Sequence, residues 1–138
     1  TTIYDYKTGK VDTKELKFSD SKELFENEEL SKLFQLMMYA YLFRNDQTTQ
    51  QFEKDSVTCA IVSFQALNKS GNPNIIPTHG SKEKNEIDGF LISDDMLFEF
   101  ENQLINVLQQ ITNCDIPFIQ TEEYRNCGFC DYKNFCGR

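Results

Sequence analysis

The segment Val57-Thr58-Cys59-Ala60-Ile61-Val62-Ser63-Phe64 constrains the fold most strongly. It is rich in strand formers and bounded by polar residues, and its middle is apolar at consecutive positions. A strand with one wet face alternates apolar with polar residues, so an unbroken apolar centre predicts a strand covered on both faces. Two stretches have the helical period needed to supply that cover. From Glu23 to Arg44, the residues Leu30, Phe34, Met37 and Tyr41 fall on one predicted stripe. From Asp94 to about Asn113, Met96 or Leu97, then Phe100, Leu104, Val107, Leu108 and Ile111 form a predicted core side. Ser93 is placed as its N-cap, and Asp94 and Asp95 sit where the helix dipole favours negative charge. Ile3, Tyr4 and Tyr6 predict a further strand that Gly9 stops. The expected fold is α/β, a mixed central sheet flanked by two long helices. Residues 10–20 read as a loop, and 46–55 are polar. The stretch from Asn68 to Gly80 holds Gly71, Pro73, Pro77 and Gly80, and reads as irregular with a short strand at Ile75-Ile76.

The chain has 138 residues, enough for a single ordinary core, and a formal charge of −8. Such a charge argues against a free-standing nucleic-acid grip, because phosphate contact depends on Lys and Arg releasing counterions. Much of the acid lies between residues 82 and 101, where Glu83, Glu86, Asp88, Asp94, Asp95, Glu99 and Glu101 face only Lys82 and Lys84. This run reads as a solvated face, since its spacing does not fit a calcium-binding EF-hand loop. The opening segment is different: Lys7, Lys10, Lys14 and Lys17 outnumber Asp5, Asp12 and Glu15. No apolar run is long enough to cross a bilayer and no signal peptide is evident, so a cytoplasmic location is expected. The chain opens inside a predicted strand and without Met, which is the expectation for a piece of a longer polypeptide.

Side chains two apart on a strand share a face, so Asp5 and Lys7 project side by side. A carboxylate beside an ammonium at a strand end suits metal-dependent phosphodiester cleavage: the first holds Mg²⁺ and the second orients water. The same spacing also describes a surface ion pair. Gln35 and Tyr39, four apart, share a helix face, as many polar pairs do. Five cysteines fit poorly with a disulfide framework, and three crowd into the tail as Cys127-x-x-Cys130-x-x-x-x-x-Cys136. That is ligand-like spacing, although a closed site wants four donors and spacing does not choose between zinc and iron–sulfur. Cys114 and Cys59 read as small core residues. The tail from Gln120 has too little aliphatic content to order itself by core burial.

The strand Asp5-Tyr6-Lys7-Thr8-Gly9, followed by a helix bearing Gln35-Leu36-Met37-Met38-Tyr39, resembles the RecB-type nuclease domain of the PD-(D/E)xK superfamily. The cysteine tail is similar to the iron–sulfur, AddB-like members of that group. The resemblance implies a restriction-endonuclease-like sheet, truncated at its N-terminal side. Residues 1–138 would be the C-terminal portion of a nuclease domain, with a cysteine-rich tail over 120–138. It implies Asp5 as a ligand of Mg²⁺ or Mn²⁺, with the Tyr6 carbonyl as a second oxygen. Lys7 would be the group that positions water and offsets phosphate charge, and Gln35 and Tyr39 would order the site and contact DNA. Cys127, Cys130 and Cys136 would hold a [4Fe–4S] cluster in the longer protein, with a fourth ligand from far upstream. Members also use an acid on the preceding strand and usually an upstream histidine; His79 lies downstream and reads as an ordinary surface residue. The implied function is a DNA exonuclease module of a helicase–nuclease in repair or recombination, with a helicase domain or subunit as partner. The piece alone is expected to cleave little. An exposed sheet edge would favour self-association. Two other readings stay open: an inactive nuclease fold that binds DNA or scaffolds, and a zinc module in which Asp5 and Lys7 are a surface pair.

Overall fold

A computed structural model of the chain describes residues 1–49, 52, 56–70, 74–79, 89–117, 119–122, 124–128 and 130–137. The strands are β1 (Thr2–Lys7), β2 (Lys17–Phe18), β3 (Val57–Ser63), β4 (Asn74–Ile75), β5 (Thr78–His79) and β6 (Phe90–Ile92). The helices are α1 (Glu23–Glu26), α2 (Ser31–Asn45), α3 (Phe64–Ser70), α4 (Asp94–Thr112) and α5 (Tyr124–Cys127). The chain divides into two compact units, residues 1–106 and 107–138.

In the first unit β3 is the centre of a mixed sheet. β1 runs parallel to it, with Asp5 opposite Ile61 and Lys7 opposite Ser63. β4 and β6 pair with β3 antiparallel, at its two ends. Parallel neighbours need a crossover connection, and α1 and α2 lie in the one between β1 and β3. Val57, Cys59, Ala60, Ile61 and Ser63 are buried, so the apolar centre of β3 is covered on both faces as its composition requires. Gly89, at the entry to β6, is held to glycine by close approach: a Cβ there would meet the Thr58 Cβ at 3.0 Å and the Cys59 carbonyl oxygen at 3.3 Å.

The expected long helix from Glu23 to Arg44 is broken. Asn27 is extended (φ −109°, ψ 107°), and its side chain accepts from the Glu29 N–H at 3.0 Å. That cap ends α1 and starts a 3₁₀ turn over Glu28–Leu30 before α2. The single predicted stripe also divides. Leu33, Leu36, Met37 and Ala40 are the buried residues of α2, which packs on β1 and β3. Phe34 and Tyr41 join an aromatic cluster around the fully buried Phe100 of α4, together with Phe25. A helix covered on two sides needs two apolar faces.

The α4 helix begins as expected: Ser93 Oγ accepts from the Met96 N–H at 3.2 Å. Leu97 and Phe100 are buried and Leu104 packs against the core, whereas Leu108 and Ile111, placed on the same buried side by periodicity, are exposed. Residues 10–20 are not a plain loop. Asp12 and Glu15 form a capping box on a 3₁₀ turn over Thr13–Leu16, and Leu16 and Phe18 are buried. β2 then pairs parallel with β5, and the Phe18 ring lies 4.8 Å from that of His79. His79 is therefore half-buried against an aromatic ring rather than an ordinary surface residue.

The described part of the acidic run is largely exposed, as expected of a solvated face, and three of its carboxylates also have partners. Asp94 pairs with Arg44, Glu99 accepts from Ser21 Oγ, and Glu101 accepts from the Tyr41 hydroxyl at 2.8 Å. The expectations for Glu83, Glu86, Asp88, Lys82 and Lys84, and for Gly71, Pro73 and Gly80, lie outside the described residues. The short strand predicted at Ile75-Ile76 falls one residue earlier, at β4. Among the described residues no helix is long and apolar enough to cross a membrane.

In the second unit no described residue is buried, in keeping with a tail too poor in aliphatic residues to make a core. Short turns order it: the Cys127 carbonyl accepts from the Cys130 N–H at 3.3 Å, and the Gln120 side-chain amide donates to the Cys136 carbonyl at 2.5 Å.

Candidate active site

The pleat of β1 puts Ile3, Asp5 and Lys7 on one half-buried face and Thr2, Tyr4 and Tyr6 on an exposed one. The parallel pairing with β3 holds this register, since a slip of one residue would turn Asp5 and Lys7 away from α2. Lys7 Nζ lies 3.0 Å from Asp5 Oδ2 and donates to Gln35 Oε1 at 2.5 Å. Gln35 Nε2 in turn donates to the Tyr39 hydroxyl at 2.7 Å. Asp5, Lys7, Gln35 and Tyr39 therefore form one continuous polar chain from the strand to one turn of the facing helix. All four residues picked out in the sequence meet here.

The ends of the chain differ in exposure. The Asp5 side chain is 12% exposed and that of Lys7 is 25% exposed. Asp5 Oδ2 is buried, and the Lys7 ammonium 3.0 Å away is its ion-pair partner. A carboxylate this far from water needs a cation beside it, and the Lys7 ammonium supplies one. Its oxygens are also of the hard donor type that divalent ions take. Among the described residues no three His, Cys, Asp or Glu side chains converge to close a metal site. Asp5 is the one carboxylate in the polar chain, and Tyr6 follows it on the strand.

A cleft of about 490 Å³ opens beside this chain, lined by Lys7, Ser31, Lys32, Phe34, Gln35, Met38 and Tyr39. Lys32 Nζ is held by Glu15 Oε2 at 2.8 Å. Burial by itself would raise the Glu15 carboxyl, but the bonds from Lys32 and from the Asp12 N–H outweigh it and hold it below its ordinary value. Ser31, Lys32 and Met38 went unread in the sequence. The signal was there: they sit four before, three before and three after Gln35, hence on its own helix face.

Among the described residues the tail cysteines form no group of three that could hold a metal ion. Cys127 is partly buried, Cys130 and Cys136 are exposed, and all are free thiols. Cys127 and Cys130 share one turn, yet three thiolates do not complete a four-donor site. Cys114 is exposed, which corrects the reading of it as a core residue. Cys59 is indeed core: it is 1% exposed, and burial pushes its thiol up to about 12.

Comparison with curated proteins finds no match, and neither does comparison with solved structures. The family model described as the PD-(D/E)XK nuclease superfamily matches residues 1–137, almost the whole chain. The mixed sheet flanked by helices is the restriction-endonuclease-like arrangement of that family, and the β1–α2 polar chain lies within the matched span. This chain belongs to the PD-(D/E)XK nuclease superfamily.

Proposed function

We propose that residues 1–138 are the C-terminal portion of a nuclease domain that hydrolyses DNA, working as the exonuclease module of a helicase–nuclease in repair or recombination. Proteins of the superfamily are generally nucleases that typically use Mg²⁺ or Mn²⁺. The observation that carries the reading is the Lys7 ammonium held between the Asp5 carboxylate and the Gln35 amide.

Asp5 Oδ2 and the Tyr6 carbonyl would hold the divalent ion, which when bound supplies Lewis-acid activation of the phosphate and of water. Lys7 faces the charge that builds on the scissile phosphate and orients the attacking water by donating to it. Gln35 limits the positions the ammonium can take, and Tyr39 holds Gln35 from the far side. Amide and phenol contribute donors without adding charge to a site that must admit an anion.

β1 pairs with β3 along one edge, and among the described residues no strand pairs with its other edge. That edge suits the preceding strand on which related nucleases carry a second acid; lacking that strand, the chain would self-associate there. Cys127, Cys130 and Cys136 are proposed ligands of a [4Fe–4S] cluster that takes its fourth donor from elsewhere. The motif spacing supports this assignment.

Lys7→Ala in the protein carrying this chain tests the reading. Hydrolysis should fall by about two to four orders of magnitude while DNA affinity stays within roughly threefold. Equal loss of binding and cleavage would make Lys7 a structural lysine. A second reading is an inactive nuclease fold that binds or scaffolds DNA. Wild-type protein that binds DNA but shows no Mg²⁺- or Mn²⁺-dependent cleavage selects it.

A further inference from the structure

Phosphate chemistry does not account for the cleft beside Lys7. A site that only cleaves a backbone needs donors and a cation, whereas this cleft is walled largely by the apolar side chains of Phe34 and Met38 and the ring of Tyr39. It is an open groove of about 490 Å³, with room for one small organic group lying against its wall. The described lining has two lysines and no carboxylate of its own, and each lysine is paired from outside it, Lys7 by Asp5 and Lys32 by Glu15.

The wall and the rim face different chemistries. Phe34 and Met38 are half-buried and packed against the core, so they are fixed in place and present a firm apolar surface. Lys7 marks one end of the cleft, at the polar chain with Asp5 and Gln35. Lys32 and Ser31, at the start of α2, are two turns of helix from Tyr39, or about 12 Å at 1.5 Å per residue. Glu15 holds Lys32 in place at 2.8 Å.

We propose that this cleft receives one unpaired nucleotide next to the nucleotide whose phosphate faces Lys7. Its base lies against Phe34 and Met38, and its flanking phosphate meets Lys32 and Ser31. Every base has a flat, poorly hydrated face that stacks on such a wall regardless of sequence. A base inside a duplex is already stacked and paired, so it cannot enter without being extruded. The cleft therefore discriminates between strands with free bases and intact duplex, a selection made by shape and not by base-edge hydrogen bonds. The inference rests on the nuclease reading for the placement of the scissile phosphate, but not for the binding preference itself.

The test is fluorescence anisotropy of the purified protein in EDTA, where no hydrolysis consumes the probe. Three labelled probes of equal length are used: oligothymidine, the same strand with every base removed, and a blunt duplex. Oligothymidine should bind about tenfold more tightly than either of the others, as expected for loss of a stacked base. Phe34→Leu and Met38→Ala should reduce that preference to less than about threefold while leaving affinity for the base-free strand unchanged. Equal affinities for the complete and base-free strands, absence of binding to both included, overturn the proposal. So does a full preference retained by both variants. Because the decisive comparison changes the probe and not the protein, misfolding of a variant does not blunt it. The nuclease reading is tested separately by Lys7→Ala: base-dependent binding without any cleavage sinks that reading alone, and cleavage without base dependence sinks this one alone.

Discussion

Replacing Gln35 with leucine removes the middle of the Asp5–Lys7–Gln35–Tyr39 chain while keeping a branched side chain of similar length. The amide accepts from Lys7 Nζ at 2.5 Å and donates to the Tyr39 hydroxyl at 2.7 Å. Hydrogen bonds to charged groups contribute about 1.5–3 kcal/mol and neutral ones about 0.5–1.5 kcal/mol. Both belong at the low end here. The Lys7 side chain is 25% exposed and Tyr39 is 39% exposed, so water takes up the vacated positions. Lys7 also keeps Asp5 at 3.0 Å. The expected loss of stability is about 1 kcal/mol, read as a lower urea midpoint with an unchanged slope. The effect on hydrolysis should be larger. The ammonium loses one of its two tethers, and at tenfold per 1.4 kcal/mol the turnover should fall about ten- to hundredfold. Gln35→Glu separates positioning from charge. A carboxylate at that site attracts Lys7 at least as strongly, so stability near neutral pH is kept. It also presents a negative charge to the incoming phosphate, so hydrolysis should fall as far as in the leucine variant or further. Full turnover in Gln35→Glu, or several kcal/mol of lost stability with unchanged turnover in Gln35→Leu, refutes the argument that Gln35 acts through Lys7.

Three more expectations come from the same framework. Phe100 is fully buried, with ring centroids 5.2 Å from Phe25 and 5.4 Å from Phe34. Phe100→Ala should therefore destabilise by about 3–5 kcal/mol in chemical denaturation, and a loss near 1 kcal/mol would mean the cluster is not core. The Glu15 carboxyl is held below its ordinary value of 4.5, so its contribution is present above that value and fades as pH falls through the lower folded one. Glu15→Gln should lower stability by less than about 1 kcal/mol at neutral pH, and the gap from wild type should close in acid; a gap that widens on acidification contradicts the assignment. Burial pushes the Cys59 thiol up to about 12, so in native metal-free protein it should resist alkylation while the exposed Cys114, Cys130 and Cys136 react. Mass spectrometry of the labelled cysteines decides it, and comparable labelling of Cys59 counts against the buried strand.

Some elements were legible because their causes are local. The period-two face of β1 put Asp5 and Lys7 side by side, and the helical period put Gln35 and Tyr39 on one face. Ser93 capped α4 where its side-chain oxygen required. Errors arose where a residue had two possible partners. Asn27 reads as a passenger within a long helical pattern until its side chain is seen capping Glu29. Asp12 and Glu15 carried a capping box inside a polar stretch read as loop. Glu99 and Glu101 read as solvated, and Glu99 is indeed exposed; the Ser21 and Tyr41 hydroxyls that also meet them come from residues distant in sequence.

The chain's own order of residues determined a covered strand, a carboxylate and an ammonium on one strand face, and an amide and a phenol on one helix face. Short-range stereochemistry decides such things, and it operates on neighbours. What brought the two faces within 2.5 Å of each other was the parallel seating of β1 on β3 beneath α2. The same packing opened a cleft walled by Phe34 and Met38. Distances between residues nearly thirty positions apart depend on how whole elements bury their apolar sides together, and no local pattern encodes that sum.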